Sequence, residues 1–348
     1  MSYTNGLDKP SDYFNTVLYT GNGASTHAIT GVGFQPDLNW HKIRNDTDWH
    51  MVNDSVRGAN YAIYPNENNS QGNVPTGLKS FDSDGFTVGN LNDSNQNNGN
   101  FVSWNWKAGT SFTNDASATG IGSIDSAGSV NQDAGFSICS YTGIGSTGTI
   151  KHGLNTAPSM IIIKNRSTTN GWEVYHQSIG NTKYLALNVT DAALASASRW
   201  NNTSPTSTVF TVNTEGGVNS NGGNLIAYCF AEKQGYLKTG KWTGNGNADG
   251  PFSYTGFKPA FILIKRTDVA KNWYINDNLR LGYNINNPYI SPNITAAETG
   301  GTEIDILSNG FKIRASGTGH NQSGGTYIYM AIAENPFVTS TGVPATAR

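Results

Sequence analysis

Apolar and polar positions alternate along this chain with a period of two far more often than with the helical period of 3.6. "WHMVND" (49–54), "FSICSY" (136–141), "WEVYHQ" (172–177) and "GFKIRAS" (310–316) all read this way, as half-buried strands do. "SMIIIK" (159–164) and "AFILIK" (260–265) are continuous apolar runs that end on a lysine. Such runs suit strands covered on both faces. A proline stands before each, where a strand's first N–H need not join the ladder. "SDGF" (83–86) and "SNGF" (308–311) carry the Asp-Gly and Asn-Gly pairs of type I′ hairpins. The middle stretch "TSTVFTV" (206–212) lacks such a pair, so its turn should differ. Helical signal is sparse. "DAALASASRW" (191–200) has room for two turns, and "NITAAETGG" (293–301) predicts a short helix or a loop.

The pattern recurs. "YTGNG", "YTGIG" and "WTGNG" open on Tyr19, Tyr141 and Trp242. Pro36, Pro158 and Pro259 follow seventeen residues later in each case. Lys42, Lys164 and Lys265 lie six places past the proline, and Arg44, Arg166 and Arg266 come just after. Trp49, Trp172 and Trp273 stand at offsets of 13, 14 and 14, and Phe86, Phe210 and Phe311 at 50, 52 and 52. Landmarks kept in this order predict three copies of a unit of roughly 100 residues. The expected division is 1–109, 136–234 and 235–348, with the Ser/Gly-rich stretch 110–135 as a linker. About seven or eight short strands per unit suggest an all-β chain of three tandem β-sandwich, jelly-roll-like domains.

Composition narrows the function. Charged residues are 13%, aromatics 11%, and the net charge is −2. That balance argues against a basic nucleic-acid surface or a polybasic membrane patch. No apolar run reaches the roughly 18 residues of a membrane span. "MSYTNGLDKPSDYFNT" lacks a signal-peptide pattern, so folding in the cytoplasm of the producing cell is expected. Cys139 and Cys229 cannot form a disulfide framework and are expected as buried thiols.

Candidate chemistry is thin. The six histidines share no offset, and no zinc, nucleophile-elbow or phosphate-loop motif is present. Asp82 and Asp84 form a tight acidic pair, in a stretch that predicts a hairpin turn. The expectation is a non-catalytic protein without cofactor or metal. The recurring Trp49, Trp172 and Trp273 suit either a core or a sugar-stacking platform. Lys42, Lys164 and Lys265 are expected to end their strands at the surface. Together these six are the candidate glycan or subunit contacts.

Several phrases carry a resemblance: "NGLDKPSDYFNTVLYTGNG", "AITGVGFQPD", "SFDSDGFTVG", "WNWKAG", "HGLNTAPSMIIIKNRS" and "YIYMAIAENPF". The chain resembles virion structural proteins of tailed bacteriophages of marine bacteria, of the kind labelled tail or tail-fibre proteins. The resemblance spans most of the chain and implies a structural virion component with no catalytic set. It further implies a symmetric homo-oligomer. A trimer is expected for a fibre and a sixfold ring for a tail-tube part; capsid decoration is the architectural alternative. Other virion proteins and a host-surface glycan or protein are the implied partners, with 1–13 and 336–348 expected to dock on neighbouring virion proteins. A polysaccharide depolymerase is the remaining reading, weakened by the missing acid pair.

Overall fold

The computed structural model describes residues 7–280, 284, 288–301 and 303–346. It is an antiparallel all-β molecule. Its main sheets follow one path through three stretches of chain. In the first, the order is Phe14–Thr20, Asn100–Trp106, Leu38–Ile43, Met51–Asp54. In the third it is Leu237–Thr243, Thr326–Pro336, Phe257–Arg266, Trp273–Asp277. The second repeats it with Phe136–Thr142, Asn224–Phe230, Met160–Asn165, Trp172–His176 and adds two strands at each edge. The runs after the prolines are thus the third strand of each sheet, flanked on both sides.

The stretch 110–135, expected as a linker, is instead structured. Thr110–Asn114 pairs with Ser126–Asn131, which pairs in turn with Phe136–Thr142. Ile124 and Val130 are buried in the second segment's core, with Phe112 packed against it. Few apolar residues suffice here, because the strands are added to the edge of an existing sheet. In 191–200 a two-residue strand and a single helical turn, Ala197–Trp200, replace the two turns expected. The 293–301 stretch is loop.

One face of each main sheet points inward. Leu38 and Trp40, Met160 and Ile162, and Phe261 and Leu263 stand two and four places past their prolines, all in one buried cluster with Trp104, Trp106, Tyr228, Phe230 and Met330. An apolar cavity of about 20 Å³ remains among them; with no polar lining to bind a water, it stays dry. The three sheets therefore share a core on their inner faces, while the outer faces of the first and second close on clusters of their own.

Smaller sheets cover the outer faces: His27–Thr30, Gly85–Val88 and Leu78–Asp82; Gly148–Lys151 and Val209–Val212; Phe252–Tyr254, Gly310–Ile313 and Ile304–Leu307. Phe86, Phe210 and Phe311 are buried beneath them. Asp82 and Asp84 serve the turn: Asp84 accepts from the backbone of Gly31 and Gly33, and Asp82 from the Ser80 and Thr87 hydroxyls.

The "TGxG" phrase has a local cause. A Cβ on Gly21, Gly143 or Gly244 would stand 2.2, 2.3 or 2.2 Å from a backbone carbonyl oxygen, and Gly23, Gly145 and Gly246 have φ of +66°, +69° and +70°. Both glycines are needed, one for close approach and one for the left-handed conformation. The carbonyls belong to a loop centred on a buried asparagine, Asn95, Asn219 or Asn321. Each such Oδ1 accepts the N–H of the residue between the glycines. The opening aromatic ties to the same loop. Tyr19 Oη donates to Ser94 O, Tyr141 Oη to Val218 O, and Trp242 Nε1 to His320 O.

Candidate functional site at the segment junctions

Four of the six candidate residues, Lys164, Lys265, Trp172 and Trp273, converge on the boundaries where one segment meets another. Lys164 and Lys265 are fully buried, against the expectation of a surface position. The apolar run carries each side chain inward past the strand end. The Nζ of Lys164 donates to Asn68 O of the first segment at 3.0 Å and to Asn170 O at 2.6 Å. Lys265 Nζ donates to Thr190 O of the second segment at 2.8 Å and to Lys271 O. Lys42 is equally buried but stays within its own segment, donating to Ile43 O and Asp46 O. Burial pushes all three ammonium groups down to about 8.

Trp172 and Trp273 are both 1% exposed. Trp172 Nε1 donates across to Tyr64 O at 3.0 Å, and Trp273 Nε1 to Ala186 O at 2.9 Å. Trp49 departs from this pattern: it is 37% exposed and packs edge-on against Tyr64. Its offset of 13 places it one residue early, and one place along an extended chain reverses the face. The residue equivalent to Trp172 and Trp273 is His50, at offset 14, whose Nε2 lies 3.2 Å from Ser291 O.

The three contacts form a cycle. The second segment's ring reaches the first, the third's reaches the second, and the first's reaches the third. Backbone bonds repeat it. Asn170 N donates to Asn68 O, Lys271 N to Thr190 O, and Asp48 N to Thr295 O; in return Gln71 N donates to Arg166 O, Ala193 N to Thr267 O, and Glu298 N to Arg44 O. Asn66, Asn188 and Asn293 position the receiving loops by accepting the N–H of His50, Trp172 and Trp273. These asparagines escaped the sequence reading because their distance from the ring residue is 16 in two segments and 20 in the third. The signal to look for was "PNEN", "LNVT" and "PNIT".

A second contact at each boundary comes from the end of the fourth strand, eighteen places past the proline. Asp54 accepts from Tyr228 Oη at 2.6 Å, Asp277 accepts from Trp104 Nε1 at 2.9 Å, and His176 Nε2 lies 3.1 Å from Tyr329 O. Asp54 and Asp277 are each also paired with a buried arginine, Arg57 and Arg280, at 2.6 Å. Between the third and first segments, Arg44 adds a two-pronged pair with Glu298, both bonds 3.0 Å. Near the start and end of the described chain, Asp8 accepts from the backbone and hydroxyl of Ser340. The stretches expected to dock elsewhere thus hold one another here; residues 1–6 and 347–348 of them lie outside the described residues.

The repeated groups are hydrogen-bonded to carbonyls and packed away from water, an arrangement that locks backbone. Trp49 is the candidate that meets solvent. Beside it the Asp93 carboxyl is pushed up to about 7 by burial and by its hydrogen bond with Asp48. Among the described residues, no group of three or more His, Cys, Asp or Glu is placed to hold a metal ion, and no helix is long and apolar enough to cross a membrane. Cys139 and Cys229 are both free and buried.

A family model spans residues 9–336, so it covers all three segments at once. The chain belongs to the DUF7483 family. The family is described as a domain of unknown function. Its extent agrees with the single shared core: the DUF7483 unit is the closed set of three sheets, not one of them. No curated protein matches the chain.

Proposed function

We propose that this chain is a non-catalytic structural component of a bacteriophage virion, a tail-fibre or receptor-binding appendage that presents loops to the host surface. It is built of three copies of one β-sandwich unit and assembles as a homo-oligomer, a trimer in a fibre. The observation that carries the reading is the cycle of junctions. Of the six recurring lysines and tryptophans, five are buried within the molecule, which yields a rigid support for loops rather than a reaction centre. Rigid β-scaffolds with polar loops are where recognition is commonly placed, and multiple copies on a particle let weak sites act together. The sequence resemblance to tailed-phage virion proteins supports the same reading.

Within this reading Trp49, with Tyr64 beside it, is the aromatic contact for a host glycan. The test is adsorption. Purified protein should compete with phage for host cells, and Trp49→Ala should abolish that competition while leaving the thermal transition in place. Failure of the wild-type protein to compete, with antibody label found on the capsid, would replace the fibre role by capsid decoration.

A further inference from the structure

Three histidines are held alike. Nδ1 of His50 accepts from the Trp40 indole N–H at 3.1 Å, Nδ1 of His152 from Leu154 N at 3.2 Å, and Nδ1 of His176 from Ser178 N at 3.1 Å. Each Nε2 faces a carbonyl: Ser291 O at 3.2 Å, Thr206 O at 3.1 Å and Tyr329 O at 3.1 Å. An N–H cannot accept and a carbonyl cannot donate, so the surroundings fix the neutral ring with its proton on Nε2. A second proton would have to sit on Nδ1, facing another donor, in a ring 0 or 1% exposed. The His152 contacts stay within the second segment. Those of His50 and His176 cross boundaries, and both end on carbonyls of the third segment.

We propose that His50 and His176 are acid-released locks, so that acidification frees the third segment, Leu237–Pro336, from its two neighbours while the first and second stay joined. Among the described residues, the boundary between the first and second segments contains no histidine hydrogen bond. It is held by Trp172, Lys164 and the Asp54–Arg57–Tyr228 group.

The charges around each ring favour this order. Lys42 and His41 on the neighbouring strand and Arg280 from the third segment all oppose a positive charge on His50, whose proton affinity burial already holds well below the usual histidine value. At His176, Glu232 pulls the other way, but burial still holds the ring down at about 4. Glu232 is also occupied by Lys238 and Thr239. A folded value below the unfolded value of about 6.5 means the unfolded chain binds more protons between the two. The contribution of each lock is therefore complete above about pH 6.5 and is lost as the pH falls below it, toward about 4 for His176.

Hydrogen exchange on the full chain, corrected for the intrinsic pH dependence, tests this amide by amide. Between pH 7 and 5, Asp48, Ala193, Lys271 and Glu298, whose amides cross the two boundaries of the third segment, should lose protection at least tenfold. Gln71 and Asn170, at the remaining boundary, should keep theirs. The double substitution His50→Gln and His176→Gln preserves one acceptor and one donor without a titrating ring, and should flatten the response. Uniform loss across all six amides, or an unchanged acid response in the double variant, overturns the proposal. Should that variant not fold, histidine C2–H exchange on the wild type decides: midpoints near 6.5 for His50 and His176 in the folded protein overturn it.

Discussion

Trp49 and His50 are neighbours whose fates differ because of one step of extended chain. His50 enters the boundary that Trp172 and Trp273 fill elsewhere, and Trp49 turns to solvent. Substitution should separate the two roles. Trp172→Ala or Trp273→Ala removes a buried ring and leaves a carbonyl unpaired, and should cost about 3–5 kcal/mol in denaturant unfolding. Trp49→Ala loses an edge contact with Tyr64 and should cost about 1 kcal/mol or less. The buried lysines permit a test by pH. Their folded value of about 8 lies below the ordinary 10.5, so between those values the unfolded chain binds more protons and stability rises with pH. Below about pH 8 the buried charge counts fully against folding. Lys164→Met cancels this effect, so the wild type should gain stability relative to that variant as pH climbs from 8 to 10. A gap independent of pH would show that the ammonium keeps its ordinary value in the fold.

At the scale of elements, much was legible because strands and tight turns are local events. The apolar runs after Pro158 and Pro259 are central strands, as their continuity predicts, and hairpins form before Phe86 and Phe311. Their two-residue turns, however, are Ser83 with Asp84 and Ser308 with Asn309, one place earlier than a type I′ turn on Asp-Gly or Asn-Gly, and neither Asp84 nor Asn309 takes the positive φ that type requires. What escaped were decisions made by partners distant in sequence. Whether Lys164 ends at the surface depends on Asn68, almost a hundred residues earlier, offering a carbonyl. The stretch 110–135 looks like a linker because an added edge strand needs little apolar surface of its own, the neighbouring sheet supplying most of it. Removing 110–125 should therefore do more than shorten a tether. It takes away the outermost strand together with Phe112 and Ile124, and should lower the protein's unfolding midpoint by several degrees. A linker deletion would leave the midpoint unchanged.

The whole molecule behaves according to its shared core. Three independent domains would melt separately, whereas sheets whose inner faces meet around Trp104, Trp106, Phe230 and Phe261 lose their common packing together. Calorimetry at neutral pH should give one transition with van't Hoff and calorimetric enthalpies nearly equal. A ratio of about one third would instead mean segments that unfold alone. For the same reason the isolated stretch 136–234 should not hold a native fold, since its sheet would expose Ile162, Tyr228 and Phe230 to water.

The hydrogen bonds between Asp8 and Ser340 bring the two ends of the described chain together at the third boundary, where the other two boundaries have a covalent connection. A cycle in which each segment grips the next at corresponding places along its chain has no privileged starting point. Joining the chain near these two residues and opening it instead between the first and second segments would give a circularly permuted protein with every contact kept. The fold thus depends on which segments are neighbours around the ring, and not on which of them is synthesised first.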